Sequence, residues 1–229
     1  MPSPGVTLKS NQRTNIKKAY NARGKGEGNL WLVYSVKTNS NWILPSDRQL
    51  IHWLCLESDP QVKSFDLAPE QVISHDGNET RATELDAIVH FKDGRIQWHE
   101  VKAGTNKKEP SNQSQFNAQA AAASKEHVEY KIINDTYLKP RVKVALRWLK
   151  PLGYADVIKK SQHTTCHLAL TTLLQKHLRG NIQQLLESMD EFDSSIVLGV
   201  LVRLAVTGVV ELDLEKHTFG LKTTWQYHG

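Results

Sequence analysis

Alternating apolar and polar residues mark two strands near the middle of the chain. The first run covers residues 85–91 (Leu-Asp-Ala-Ile-Val-His-Phe) and the second covers residues 96–102 (Ile-Gln-Trp-His-Glu-Val-Lys). The Asp-Gly pair between them is typical of a turn, so the two runs predict a β-hairpin. Side chains alternate between the faces of a strand, which places Glu100 and Lys102 on one face and His99 on the other.

The residues around this hairpin predict helices packed on a sheet. Ser46 is suited to cap a helix, with Gln49 three residues later as in a capping box. Lys9, Arg13 and Lys17 lie four apart and are interpreted as the solvated basic face of a first helix. The succession predicts an α/β core. Its expected helices are 8–22, 46–57, 113–129 and 140–149, and its further strands are 30–36, 62–67, 70–73 and 130–134.

Pro151-Leu152-Gly153 is the predicted boundary between two domains, residues 1–152 and 153–229. The second domain is expected to contain three helices followed by a two-stranded ribbon, which is the winged-helix plan. A helix that reads DNA bases should be basic, but the third helix is overwhelmingly apolar. We therefore expect this domain to dock a partner protein or to serve in packing, rather than to read bases. The helices are predicted at 164–178, 182–189 and 194–207, and the ribbon strands at 209–214 and 218–222.

Composition excludes several classes of protein. The 229 residues are 39% hydrophobic, which is enough for a packed core, and two cysteines are too few for a disulfide framework. The first residues lack the apolar core of a signal peptide. The longest apolar run, residues 196–210, contains Arg203 and is too short to span a bilayer. These observations predict a soluble cytoplasmic protein with no membrane partner, and a net charge of +5 favours polyanionic partners.

The predicted hairpin carries the candidate chemistry. Asp86 lies at one strand, and Glu100 and Lys102 lie two apart on the other, as in the nuclease pattern written PD-(D/E)xK. One or two carboxylates suffice to hold Mg²⁺ against a phosphate, with Mn²⁺ expected to substitute. A lysine beside the ion can orient or deprotonate the attacking water. The alternative is a surface hairpin with an ordinary Glu/Lys pair, since the pattern is degenerate and its leading proline is absent.

Other residue clusters offer weaker candidates. Arg23 and Lys25 lie in a glycine-rich segment, and Lys107 and Lys108 follow the second strand of the hairpin. These four are candidate DNA-phosphate contacts, although hinge or mobile-loop roles are equally ordinary. Gln115 and Gln119 could reach the carboxylates from the following helix. His163, Cys166 and His167 do not complete a zinc site by spacing, so a structural role is favoured.

The order of these features resembles the TnsA endonuclease subunit of heteromeric cut-and-paste transposases, including CRISPR-associated relatives. The likeness is detailed from about Ile16 to Lys102 and continues in outline to the C-terminal segment. Its landmarks are Ile16-Lys17-Lys18, the glycine segment Arg23–Gly28, Ser46-Asp47, Leu54-x-Leu56-Glu57, Asp86-x-x-Val89, Lys92-Asp93-Gly94 and Glu100-Val101-Lys102.

The resemblance implies a restriction-endonuclease-like first domain and a winged-helix second domain. It implies magnesium-dependent cleavage of the 5′ (non-transferred) strand at transposon ends, in a complex with a DDE-type transposase and an AAA+ ATPase regulator. It also implies a bacterial protein that associates with the nucleoid when active. By resemblance, Asp86 is the metal-binding aspartate and Lys102 is the catalytic lysine.

The sequence departs from the family at two positions. The usual helix glutamate is Gln49 here, and the frequent glutamine two residues before the lysine is Glu100. The two roles therefore look exchanged, which leaves Asp86 and Glu100 as metal ligands, with Gln49 offering a neutral oxygen. Gln49 is either natural in an active site or a change made to trap DNA without cutting it.

Two further functions stay open. The same fold and site occur in a stand-alone restriction-like or junction-resolving nuclease. A nuclease domain that has lost activity could instead bridge DNA as an assembly subunit, with Gln49 as its mark.

Overall fold

A computed structural model describes residues 12–23, 28–76, 79–104, 110–161 and 163–229. The elements in the first 133 residues are α1 (Ile16–Arg23), β1 (Trp31–Ser35), β2 (Ser40–Leu44), α2 (Asp47–Ser58), β3 (Val62–Asp66), β4 (Val72–Asp76), β5 (Glu79–Thr83), β6 (Ala87–Phe91), β7 (Ile96–Val101), α3 (Pro110–Lys125) and β8 (Glu129–Ile133). The later elements are α4 (Asp135–Leu138), α5 (Val142–Arg147), α6 (Leu149–Val157), α7 (Thr164–His177), β9 (Arg179–Asn181), α8 (Ile182–Glu187), α9 (Ser194–Val206), β10 (Val210–Leu212) and β11 (Thr224–Tyr227).

Contacts between residues divide the chain into two compact units. The first unit comprises Met1–Val33, Asn41–His52 and Val62–Pro140, and the second comprises the remaining segments, of which Arg141–Gly229 is the longest. Residues 151–153, where the sequence predicts a domain boundary, lie inside α6. Proline is tolerated there because it falls in the first turn of the helix. Because these units are defined only by how compactly their residues pack, the domains 1–152 and 153–229 stay a prediction.

A four-stranded mixed sheet in the order β3-β6-β7-β8 organises the first unit. The first three strands are antiparallel neighbours, whereas β8 runs parallel to β7. Parallel neighbours need a crossover, and α3 provides it. The predicted hairpin of β6 and β7 is confirmed, and Gly94 at its turn has a φ of +88°, which glycine adopts without strain.

The alanine-rich face of α3 covers this sheet. Ala122 and Ala123 pack with Leu85 and Trp98 in one buried cluster. The helix ends earlier than predicted, because His127 takes a left-handed conformation with a φ of 55° and Val128 N bonds back to Ala123 O at 2.9 Å. Glu129 then begins β8.

The second unit contains a three-stranded antiparallel sheet in the order β10-β11-β9. Along the chain, α7 precedes β9, and α8 and α9 lie between β9 and β10. The apolar helix α9 is buried along most of its length, as the sequence predicted. The second ribbon strand was predicted wrongly at 218–222. Phe219 is buried there and Gly220 and Thr223 bond to each other in a turn, so the strand begins at Thr224.

Within the part of the chain that the structure describes, no helix is long and apolar enough to cross a membrane.

Candidate active site

Asp86 is held at the point where the chain enters β6. Its backbone N–H donates to His99 O at 3.0 Å, which extends the pairing with β7 by one residue. Its carboxylate oxygen Oδ2 accepts from Val101 N at 2.8 Å. The residue is 4% exposed. Val101 lies between Glu100 and Lys102, so its backbone N–H holds the Asp86 carboxylate beside the predicted Glu-x-Lys pair.

Glu100 and Lys102 form an ion pair at the end of β7. Lys102 Nζ lies 2.9 Å from Glu100 Oε1, and the glutamate is 1% exposed, whereas about a third of the lysine side chain remains accessible. Gln119 Nε2 on α3 donates to Glu100 Oε2 at 3.3 Å. Phe116 on the same helix lies under the ammonium, 5.7 Å from Nζ to the ring centre. The structure therefore brings Glu100 and Lys102 together, and Gln119 reaches the pair.

Gln49 reaches Asp86 from the first turn of α2. The backbone half of the predicted capping contact is present, since Gln49 N donates to Ser46 Oγ at 3.3 Å. The side chain extends to Asp86 instead, where its Nε2 lies 3.4 Å from Oδ1. Its other atom, Oε1, is buried and has no hydrogen-bond partner among the residues that the structure describes. An amide oxygen left in this way next to a carboxylate is an unusual arrangement in a protein interior.

Arg13 completes the cluster, and the sequence did not predict it. Its Nη2 lies 3.0 Å from Asp86 Oδ1, and the residue is 3% exposed. The interpretation of Arg13 as part of a solvated face was therefore wrong. Burial lowers the pKa of Arg13 below its usual value, while Asp86 and Glu100 oppose that shift. Arginine stays protonated in proteins, so the guanidinium is a buried cation.

A chain of buried polar side chains lies on the opposite face of β7. His52 Nε2 and His99 Nδ1 are 2.9 Å apart, and His99 Nε2 lies 3.0 Å from Gln97 Oε1. Gln97 Nε2 donates to Glu129 Oε2 at 2.7 Å. Because a carbonyl oxygen only accepts, His99 carries hydrogen on Nε2 and accepts from His52 on Nδ1. Burial lowers the pKa of His52 to about 3 and that of His99 to about 2.

The side chains of the four basic candidates for DNA contact lie outside the part of the chain that the structure describes. Lys25, Lys107 and Lys108 lie outside the described residues, and Arg23 ends α1 with its side chain also outside them. Their roles stay predictions. Among the described residues, no group of three or more His, Cys, Asp and Glu side chains forms a metal site, which includes the segment around Cys166.

The residues present nevertheless fit a hard divalent cation. Mg²⁺ is held in proteins by one or two carboxylates together with waters, so a third carboxylate is not required. Asp86 and Glu100 would supply the carboxylates, and Oε1 of Gln49, whose Nε2 lies 3.4 Å from Asp86 Oδ1, would supply a further oxygen. This donor set suits Mg²⁺ or Mn²⁺ rather than a metal that prefers nitrogen or sulfur.

Neither a protein-family model nor a curated protein matches this sequence.

Proposed function

We propose that this chain is a magnesium-dependent DNA endonuclease subunit of a transposase, which cleaves the 5′ (non-transferred) strand at transposon ends. The observation that carries the proposal is the cluster of Asp86, Glu100 and Lys102, with the unpartnered oxygen of Gln49 beside it. The transposase assignment rests on the resemblance to TnsA. The expected partners are transposon-end DNA, a DDE-type transposase and an AAA+ ATPase regulator, in a bacterial cytoplasm.

Each side chain has a role that follows from its contacts. Asp86 and Glu100 would hold the ion, which when bound supplies a polarised water and neutralises charge at the attacked phosphate. Glu100 fixes the Lys102 ammonium through the 2.9 Å ion pair. Lys102 then orients the water or stabilises the negative charge that develops on the phosphate. Gln119 keeps the Glu100 carboxylate in place from α3.

The order of elements supports the two folds that the resemblance implies. Along the chain, α2 is followed by the sheet strands β3, β6 and β7 and then by α3 and β8, with β4 and β5 inserted between β3 and β6. In the second unit, α7, β9, α8 and α9 precede the antiparallel pair β10 and β11. The first order is compatible with a restriction-endonuclease-like core and the second with a winged helix. The buried α9 favours protein docking by the second domain over base reading.

The test is strand-specific cleavage by the chain reconstituted with the DDE-type transposase proposed as its partner. The variants Asp86→Ala and Lys102→Ala should each lower 5′-strand cleavage at least about 100-fold, because each removes a group that acts on the attacked phosphate. Joining of the other strand by the transposase should continue. Asp93→Ala is the matched control, since Asp93 is an exposed turn residue of the same hairpin, paired with Arg95.

Other outcomes assign the open alternatives. Normal 5′-strand cleavage by Asp86→Ala would refute the proposed active site. An unmodified chain that never cuts but is needed for end joining would be an inactive bridging subunit, for which Gln49 in place of glutamate is the supporting observation. Cleavage of branched or unmethylated DNA without any transposase would identify a stand-alone nuclease.

A further inference from the structure

A buried arginine lies against the carboxylate that the proposed function assigns to the metal. Arg13 reaches Asp86 across 73 residues of sequence, and both side chains are almost fully inaccessible. Its guanidinium is also attracted by Glu100 and Asp66. Among the described residues, the cluster pairs the carboxylates Asp86 and Glu100 with the cations Arg13 and Lys102.

The Asp86 carboxylate is already well supplied with donors. Oδ1 faces Arg13 Nη2 at 3.0 Å and Gln49 Nε2 at 3.4 Å, and Oδ2 accepts from Val101 N. A carboxylate has about four acceptor positions and these donors take three of them, so a metal ion has to bind Asp86 beside the guanidinium. Of these three donors only Arg13 is charged. A divalent cation at Asp86 would repel the guanidinium strongly in a site this poorly accessible to water.

We propose that Arg13 is a further residue of the active site with two alternate partners: Asp86 in the protein alone, and a DNA phosphate once a divalent cation has taken Asp86. This inference rests on the proposed function and adds a regulatory step to it. A guanidinium displaced from a carboxylate needs another anion, and phosphate oxygens match its planar donors. Arg13 thereby weakens metal binding without DNA and favours it with DNA.

The first measurement is Mn²⁺ binding to the full chain without DNA, by calorimetry or by electron paramagnetic resonance. Arg13→Gln removes the competing charge and should tighten Mn²⁺ binding at least about fivefold, a typical size for coupling between sites. Arg95→Gln is the matched control and should not change Mn²⁺ binding, because Arg95 pairs with Asp93 at the exposed turn. Equal or weaker Mn²⁺ binding by a folded Arg13→Gln chain would overturn the inference.

The second measurement uses the unaltered chain and so does not depend on how a variant folds. Coupling is reciprocal, so a divalent cation should tighten the binding of a short DNA duplex by at least about fivefold. Ca²⁺ is the probe, since it takes the same oxygen ligands. Arg13→Gln, or Arg13→Lys if the former does not fold, should reduce this coupling. No effect of Ca²⁺ on DNA affinity of the unaltered chain would overturn the inference.

The proposed function fails in a different way. If neither the unaltered chain nor Arg13→Gln binds Mn²⁺, and Asp86→Asn changes nothing, then Asp86 is not a metal ligand and both proposals fall. If Mn²⁺ binds and Asp86→Asn abolishes binding, but Arg13 has no effect, the metal site stands and only the exchange of partners is refuted.

Discussion

Gln49 has surroundings unlike those of an ordinary buried amide. Its Nε2 is near Asp86, but its buried Oε1 has no partner within the described part of the chain. An unsatisfied buried acceptor costs about 1–3 kcal/mol relative to a bonded one. A ligand that accepts electron density from this oxygen would remove that cost. The buried Oε1 therefore supports a metal ion bound near Gln49, whether this glutamine is natural or introduced.

We expect Gln49→Glu to have opposite effects without and with metal. The new carboxylate would lie about as close to Asp86 as the amide nitrogen does, at 3.4 Å, and two like charges at that separation repel each other. Without metal, the free energy of unfolding should fall by roughly 1–2 kcal/mol at neutral pH. With Mn²⁺ the loss should be recovered and Mn²⁺ affinity should rise. Urea unfolding with and without Mn²⁺ measures both effects.

Gln71→Glu is the control for that substitution. Gln71 also bonds a carboxylate through its amide, with Nε2 at 3.2 Å from Glu84 Oε1, but this pair is exposed. Solvent screening should keep the change within about 0.5 kcal/mol, and Mn²⁺ should not rescue it. A rescue of both variants by Mn²⁺ would mean that the ion acts on the general charge of the protein.

No difference in nicking rate between Gln49→Glu and the unaltered chain would remove Gln49 from the functional residues.

The two buried histidines predict how stability depends on pH. Their pKa values in the folded protein, about 3 for His52 and about 2 for His99, lie below the ordinary value of 6.5. At a pH between the folded and the ordinary pKa values, the unfolded chain therefore binds more protons than the folded protein. The free energy of unfolding consequently falls as the pH falls below about 6.5. Between pH 7 and pH 5 each histidine should cost about 2 kcal/mol. Urea unfolding at a series of pH values measures this slope.

A double variant isolates the contribution of the histidines. His52→Asn with His99→Gln removes both titrating rings, so its stability should depend less on pH below about 6.5. Above pH 7.5 the rings are neutral in both states, so the two proteins should then show parallel slopes. Unchanged slopes below pH 6.5 would mean that these histidines are not buried in neutral form.

At the scale of elements, the sequence correctly predicted those helices and strands whose formation depends on local interactions. The hairpin β6–β7, the capped start of α2 and the buried α9 each depend on alternation, a cap or a continuous apolar run. The strands β2, β5 and β9 were not predicted, and β11 was misplaced. These strands have three to five residues, and their pairing partners, rather than their own pattern, decide where they form.

The residues of the candidate site were likewise predicted where they are local in sequence and missed where they are distant. Asp86, Glu100 and Lys102 were found from sequence because one hairpin carries them, so strand geometry alone relates them. Arg13 and the pair His52–His99 were missed, since these contacts join residues 73 and 47 positions apart. A basic residue in a helical segment is usually solvated. Nothing in the sequence near Arg13 indicated that Asp86 would bury it.

Packing of α9 against α6 supplies a test of the second unit. A methyl group at Gly199 would lie 2.8 Å from Tyr154 O and 2.9 Å from the Ile158 side chain. Because the nearer atom belongs to the backbone, the two helices must move apart. Gly199→Ala should therefore lower the free energy of unfolding by about 1–3 kcal/mol, although alanine is the better helix former. Thermal or urea unfolding measures the change.

Gly153→Ala is the matched control within α6. A methyl group at Gly153 would meet no atom within 4 Å. The same substitution should therefore stabilise the protein by roughly 0.5–1 kcal/mol through helix propensity. Stabilisation by both substitutions would show that α6 and α9 are not packed as closely as described.

At the scale of the whole molecule, charge and the buried α9 together limit how this chain can bind DNA. The net charge of +5 is modest for a DNA-binding protein, and nine of the thirteen residues of α9 are buried, so that helix offers little surface to a groove. Binding must then depend mainly on phosphate contacts, which carry no sequence information. In the proposed transposase, recognition of the transposon ends would come from the partner subunit.

The chain alone should therefore bind DNA weakly and without sequence preference. Phosphate contacts release counterions, so affinity should fall roughly 10- to 100-fold between 50 and 200 mM salt, as for two to four contacts. Fluorescence anisotropy with a transposon-end duplex and a scrambled duplex of equal length measures both properties, and the two should bind within about threefold, less than one mismatched contact costs. A tight, salt-resistant footprint confined to the transposon end would contradict this expectation, because it would require base contacts made by this chain itself.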